Sequence, residues 1–427
     1  MWLALGVAAG AVSTHKPVLE ALSTGTRRRL VPALDSDGIG GLGEVSVPAP
    51  PGGWFDSDMV GACAVQRLRP DRWIMWYAGR SSHIQNDVVP IATGAIGVAV
   101  SDDGLVWERA CGPGAAGECF GPRDGKAGFD ASHVGVGDVT RVGEQLAMLY
   151  FGGGSELRDM GGGKMLRGVG MCVGSATSSD GVRWTRQDAP LLQPTAGEQI
   201  FLGWPVRHGQ VLTLTLTLTL TLTLTLALTL TLTHPSPSPS PNPNSNPNPN
   251  PNPNPNPNPN QHVYYHAADS GDYGGRFVVG RARLLSPRAA AISPDEIEDE
   301  GYVLTPGGAG AYDAGGVSAR CVVGHPTDPS RLLMVYEALD EARSHAICLA
   351  SSEDDGATWA RLGQILRPSA DGWDSGAVSR PYLVPADPTD PTSRARLYYL
   401  GRSADGARQG IGVAESDDPE WRKWTKL

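Results

Sequence analysis

Cysteine is scarce: the 427 residues contain six, and no spacing among them resembles a zinc site. Cys111 and Cys119 are near enough in sequence to pair across a loop. Cys172 in "GMCVGSA" and Cys348 in "HAICLAS" read as buried, reduced thiols at equivalent places of two strand-like runs. Positive charge is also in deficit. A formal net charge of −10 argues against nucleic acid or an anionic membrane as the main partner, and leaves neutral sugars and cationic ligands equally open. The apolar run at the N-terminus lacks the basic residue that should precede it in a secretory signal. It is nearly free of acids and ends in Arg27, Arg28 and Arg29, in the manner of an organellar transit peptide. Localisation therefore stays open between organelle and secretion.

What is abundant is glycine, at 55 residues, and tryptophan, at 11, mostly in repeated contexts. That balance favours many short strands and tight turns over helices. The stretch "SEDDGATW" has near-copies in "SDDGLVW", "SSDGVRW" and "SDDPEWRKW". Each follows a strand-like run ("GAIGVAV", "GMCVGSAT", "HAICLAS", "GIGVAE"). Upstream lies an aromatic run ("RWIMWYAGR", "LAMLYFGGG", "LLMVYEA", "ARLYYLGR"). Further upstream, an element opens on an aromatic residue and an aspartate ("WFDSDMVGACAV", "FDASHVGVGDV", "YDAGGVSARCVV", "WDSGAVSRPYLV"). Small, branched and aromatic residues alternating between glycine and aspartate are strand chemistry.

A fifth, degenerate copy occupies residues 198–287, with "EQIFLGWPV", "HVYYHAA" and "RFVVGRARLLSP" as its strands and no tryptophan turn. "APLLQP" and "GQILRP" read as fourth strands. The last copy stops at "WTKL", so "KPVLEA" at residues 16–21 is expected to supply its fourth strand and close a ring, sparing the end blades a free edge. Five units of four strands predict an all-β fold, a five-bladed β-propeller of four-stranded antiparallel blades around a central funnel. In it the Ser and Asp of each turn bond the turn backbone, joining strands three and four, and the tryptophan packs between blades. The domain reading is an N-terminal segment, 1–49, and a propeller, 50–427.

Residues 211–260, a Leu/Thr tract followed by a Pro/Asn tract, fall between the first two strands of the degenerate copy. The Leu/Thr half is long enough for a membrane span, but half its positions carry a hydroxyl. Its period of two suits a strand or an aggregating segment. The Pro/Asn half cannot form a ladder. The segment reads as an expanded simple repeat, or as sequence outside the true coding region.

With these motifs, residues 50–427 resemble the five-bladed β-propeller glycoside hydrolases, the arabinanase, levansucrase and invertase superfamily with glycoside hydrolase families 43 and 32. One box, "SEDDGATW", also fits the sialidase turn, but sialidases have six blades and five copies are present here. The resemblance implies three carboxylates projecting from the inner strands of the first three blades: an aspartate as base or nucleophile, a second that tunes the pair, and a glutamate as acid. Two carboxyls flanking the glycosidic bond, one protonated and one ionised, are what the chemistry needs.

The match is partial. The first blade offers Asp56 and Asp58, and the second offers Asp130 and Asp138. Where such families often show Glu-Gly-Pro in the third, this chain has "LGWP", and Glu198 lies several residues upstream. Asp56, Asp130, Asp313 and Asp374 share one place in four copies, either as a ring of ligands or as caps on a backbone turn at the strand entrance. Asp58, His133 and Asp138 depart from the repeat and are stronger functional candidates. Arg320 and Arg380 lie at similar places in copies four and five, suited to a carboxylate or phosphate or to an inter-blade salt bridge. Trp54 and Trp204 suit either stacking on a sugar face or an ordinary core role.

The expected function is cleavage or transfer at a glycosidic bond, with Asp56 or Asp58 as base or nucleophile, Asp138 as orienting acid and the acid catalyst unassigned. The rivals are a carbohydrate-binding propeller without chemistry and a phosphorylase-like enzyme with phosphate held by Arg320 and Arg380. The chain is expected to act as a monomer on a carbohydrate, with no cofactor, metal, nucleic acid or membrane.

Overall fold

The computed structural model describes residues 27–29, 53–84, 86–125, 128–143, 145–160, 163–194, 199–208, 261–269, 272–286 and 291–427. Five antiparallel sheets follow one another along the chain. From the inner strand outward, blade one comprises Met59–Arg69, Arg72–Arg80, Ala95–Ser101 and Glu108–Ala110. Blade two comprises His133–Val142, Gln145–Gly153, Met171–Ser178 and Thr185–Arg186. Blade three is Gln199–His208, Gln261–Asp269, Arg276–Leu284 and Ile297–Leu304. Blade four is Gly316–Gly324, Leu332–Leu339, His345–Ser352 and Ala360–Leu366. Blade five is Ala377–Val384, Ala395–Arg402, Gln409–Ser416 and Thr425–Lys426. Inner strands of successive blades touch, and the fifth returns to the first, so the arrangement is a closed five-bladed propeller.

Each inner strand carries a register shift midway, at Val60/Cys63, Val136/Asp138, Gly203/Val206, Ser318/Arg320 and Ser379/Tyr382. Such bulges increase local twist and re-aim side chains, here in the five strands around the axis.

Blade five has an outer strand of its own. The outer strand of blade five is Thr425–Lys426, from the C-terminus itself. Residues 16–21 lie outside the described residues, and Arg27–Arg29 instead extends blade one as a fifth strand beyond Glu108–Ala110. Among the described residues, side chains join blade five to blade one. Tyr398 Oη donates to Gly104 O at 2.8 Å, Arg67 Nη2 meets Asp390 at 2.8 Å, and Gln409 Nε2 donates to Val60 O at 2.7 Å.

The tryptophan turns join third and outer strands. In "SDDGLVW" the Ser101 Oγ accepts the Gly104 N–H, and Asp103 Oδ1 accepts those of Leu105 and Val106. The same pattern holds at Ser178/Asp180, while Ser352 and Asp354 accept from Gly356 and Thr358. Each turn docks on the second strand of the preceding blade: Trp184 edge-on to Trp76, Trp359 to Tyr264, and Trp107 to Tyr398. Aromatic pairs in this geometry add to the area they bury.

Glycine in the third strand has a specific reason. A Cβ at Gly97 would lie 2.1 Å from the Phe55 ring, and one at Gly174 2.6 Å from Phe129. In these two blades the aromatic residue ahead of the repeated aspartate is thus seated against a strand position that has no side chain. Blade four has Cys348 at this place, opposite Tyr336, whereas Cys172 pairs with Gly152. The two thiols are therefore offset by two residues rather than equivalent. All six cysteines are free, Cys111 and Cys119 included.

The hairpin position between residues 208 and 261 is as expected: His208 and His262 are register partners in adjacent strands. Residues 211–260 lie outside the described residues. Among the described residues no helix is long and apolar enough to cross a membrane.

Candidate functional site

The aspartates that head four inner strands are all buried. Asp56 Oδ2 accepts from Tyr77 Oη at 3.0 Å and Arg109 Nε at 2.8 Å. Asp130 takes Tyr150 Oη at 2.9 Å, Arg186 at 2.6 Å and Arg123 at 3.1 Å. Asp313 faces Tyr336 Oη at 3.5 Å and Arg361 at 2.6 Å, and Asp374 faces Tyr399 Oη at 2.9 Å and Lys426 at 2.6 Å. Each is a clamp inside one blade: acid from the strand entrance, tyrosine from the second strand, cation from the outer strand. These carboxylates bind side chains rather than capping a backbone turn, because the neighbouring tyrosine and cation supply charge-assisted donors. In blade three the corresponding Tyr265 meets Asp299, an acid on the outer strand, at 2.7 Å.

Two residues beyond each clamp aspartate, a backbone N–H closes onto the end of the second strand: Asp58 to Arg80 O, Ser132 to Gly153 O, Gly315 to Leu339 O and Gly376 to Arg402 O. Asp58 is thus a half-buried carboxylate where the other three blades have serine or glycine. Its partner strand ends in Arg80, whose Nη1 donates to Val89 O at 3.0 Å and Ile91 O at 3.3 Å. Burial pulls the Arg80 pKa below its ordinary value, and the Asp58 charge pushes it back in part.

His133 begins the inner strand of blade two, fully buried. Its Nε2 donates to Gly168 O at 2.9 Å and its Nδ1 accepts from Thr93 Oγ1 at 3.0 Å, which defines a neutral tautomer. Burial, with the Arg80 charge behind it, lowers its pKa to about 4, although the bond to Gly168 works the other way.

Asp138 lies deeper along the axis, at the bulge of blade two, and accepts from Tyr382 Oη of blade five at 2.8 Å. Its charge also acts on Arg320 of blade four. Arg320 is buried, donates to Tyr264 O, and meets His266 Nδ1 at 3.3 Å; burial pushes its pKa down to about 9. Arg380 has a left-handed backbone (φ 51°), and its N–H donates to Glu337 Oε2 of blade four at 3.2 Å. Both arginines are thus engaged across a blade interface.

Trp54 is buried, its ring covered by the loop at Gly117, where a Cβ would lie 2.3 Å away. The side chain of Trp204, and Glu198 entirely, lie outside the described residues. Among the described residues, the five inner strands hold one carboxylate, Asp138, with Asp58 immediately ahead of blade one. No group of three or more His, Cys, Asp or Glu among them is placed to hold a metal ion.

Sequence reasoning missed Glu337. It follows the clamp tyrosine of blade four, at the place filled by Ala78, Phe151, His266 and Leu400 elsewhere. The signal was a lone acid in the otherwise apolar run "LLMVYEA".

Five four-stranded blades closed around one axis are the architecture of the five-bladed propeller glycoside hydrolases, and this chain has that fold. Among solved structures it superposes on a BT0996 RGII complex with a TM-score of 0.51 and 15% identity, over 95% of this protein and 96% of that one. It is similar to a thermostable family-43 glycoside hydrolase (TM-score 0.51, 12% identity, 89% and 96% covered). It is also similar to an N-acetylgalactosamine deacetylase from F. plautii in complex with blood group B trisaccharide (TM-score 0.50, 13% identity, 88% and 94% covered). No protein-family model and no curated protein sequence matches the chain.

Proposed function

We propose that the protein acts on a glycosidic bond of an oligo- or polysaccharide at the end of the axis where the inner strands begin, with Asp58 as base or nucleophile. The observation that carries this reading is the contrast between neighbouring aspartates. Asp56 is committed to Tyr77 and Arg109 as its three counterparts are to their own blades, whereas Asp58 is a half-buried carboxylate at a place that is Ser132, Gly315 or Gly376 elsewhere. Asp138, buried against Tyr382, is the orienting acid of the axis. The acid catalyst is unassigned.

A second reading, a propeller that binds carbohydrate without cleaving it, is favoured by one observation. With the clamp aspartates occupied, no second half-exposed carboxylate stands at an inner-strand entrance among the described residues, and glycoside hydrolysis needs a pair.

The test is turnover of arabinan, xylan, fructan and mannan fragments, with and without phosphate. Asp58→Asn should lower turnover by about a hundredfold or more, the scale of an acid–base group, while the melting temperature holds. A wild-type protein that binds a glycan and never cleaves it leaves the binding reading in place.

A further inference from the structure

In three seams of the ring, a polar side chain that opens the third strand of one blade reaches the inner-strand entrance of the next. Arg276 opens that strand in blade three, and its Nη1 donates to Ala314 O, just ahead of the blade four inner strand, at 3.1 Å. His345 opens it in blade four and reaches blade five through Glu337, which it meets at 2.6 Å and whose Oε2 accepts the Arg380 N–H. Gln409 opens it in blade five, and its Nε2 donates to Val60 O of blade one at 2.7 Å. Blades one and two have the apolar Ala95 and Met171 at this place.

The blade that receives Gln409 is the one that carries Asp58. Val60 lies two residues after Asp58, so their backbones are at most about 7 Å apart. The rest of the same hairpin face fixes the approach. Arg396, opposite Glu415, donates to Asp103 O, and Tyr398, opposite Val413, donates to Gly104 O, both in blade one. Gln409, opposite Arg402, is the last pair of that face, at the entrance end.

A carbonyl oxygen only accepts, so the contact with Val60 settles how the carboxamide lies, with its nitrogen on Val60 and its oxygen turned from it. Gln409 is half-buried, and its Oε1 has no hydrogen-bond partner among the described residues. The acceptor is held in place by the nitrogen beside it, which leaves less side-chain freedom to lose when a ligand binds.

We propose that Gln409 is a substrate-binding residue whose Oε1 accepts a hydrogen bond from a hydroxyl of the sugar seated beside Asp58. This role rests on the carbohydrate site proposed above at that entrance, and it needs no cleavage. It favours a neutral glycan, because a carboxamide oxygen accepts from a hydroxyl and repels an oxyanion.

Two substitutions divide the two contacts of the amide. Gln409→Lys keeps a donor for Val60 O and has no acceptor, whereas Gln409→Glu keeps an acceptor and has no donor. Calorimetric titration of the full chain with arabinotriose, xylotriose, kestose and mannotriose identifies the fragment bound, and thermal melting follows each variant. Gln409→Lys should hold its melting temperature and bind that fragment about three- to tenfold more weakly, the range of one hydrogen bond. Gln409→Glu should melt lower and keep wild-type affinity per folded molecule. A merely structural amide gives the opposite pattern, with lysine binding as wild type and any loss in the glutamate variant following its melting temperature. That pattern, equal losses of affinity in both variants, or binding of none of the fragments by the wild type overturns the proposal. Cleavage with wild-type affinity in Gln409→Lys sinks this role and leaves the glycosidase reading. Binding that weakens in Gln409→Lys, without any cleavage by the wild type, does the reverse.

Discussion

The hydroxyl of Tyr382 donates to Asp138 Oδ1 at 2.8 Å, joining the inner strands of blades five and two, both of which flank blade one. Both side chains are buried, so the bond stitches the axis itself. Tyr382→Phe should lower stability by about 1–3 kcal/mol, because a buried carboxylate loses a donor. The double mutant with Asp138→Asn should cost less than the sum of the two single changes. Additive costs in chemical denaturation would reduce Tyr382 to a packing role.

The four clamps predict a common phenotype. Asp56→Asn leaves the buried Arg109 short of its charge partner, at roughly 3–5 kcal/mol; Asp130→Asn should cost less, because Arg186 and Arg123 are 21% and 23% exposed. Asp374→Asn should cost less, since Lys426 is 25% exposed. Ligand affinity per folded molecule should be unchanged in all three. Loss of binding with an intact melting curve would move that aspartate into the site.

His133 predicts an acid limb in stability. Its folded pKa of about 4 lies below the ordinary histidine value of about 6.5, so the unfolded chain takes up its proton first. Its contribution is complete above the ordinary value and falls away as pH drops toward the folded one, by about 1.4 kcal/mol per pH unit. His133→Gln, which can still donate to Gly168 O and accept from Thr93, should flatten that limb. Denaturation midpoints at neutral and mildly acid pH that fall equally in both proteins would assign the limb elsewhere.

Removing residues 211–260 and joining Gln210 to Gln261 should leave the melting temperature unchanged or higher. His208 and His262 are already register partners, and loop closure costs only about 0.6 kcal/mol per doubling of length. A collapse of folding on deletion would show that the segment is more than an insertion in a hairpin.

Much of the fold was legible because each copy repeats the same strand vocabulary. The outer strand of blade three was not: "IEDEGYVL" is acid-rich, its carboxylates meeting Tyr265, Arg281 and Arg283 of the two strands inside it, and does not look like its counterparts. The clamps had an unread signal. A cation stands two residues after the turn tryptophan in all four copies, as Trp107-x-Arg109, Trp184-x-Arg186, Trp359-x-Arg361 and Trp424-x-Lys426. Read with the tyrosine of each aromatic run, it pairs with the repeated aspartate. The site was less legible because single-copy residues such as Asp58 and Glu337 carry no periodicity, and only the fold shows which of them share an end of the axis.

Closure by side chains has a consequence during synthesis. The surface of blade one that receives Tyr398, around Gly104 and Trp107, is complete almost 300 residues before its partner is made. At ribosomal rates of about 5–20 residues per second, that apolar surface waits roughly 15–60 seconds without its cover. The last seam is thus a nascent-chain hazard as well as a lock. Slowing translation ahead of Ala395 should raise aggregation of the newly made chain, whereas fully folded protein is indifferent to it.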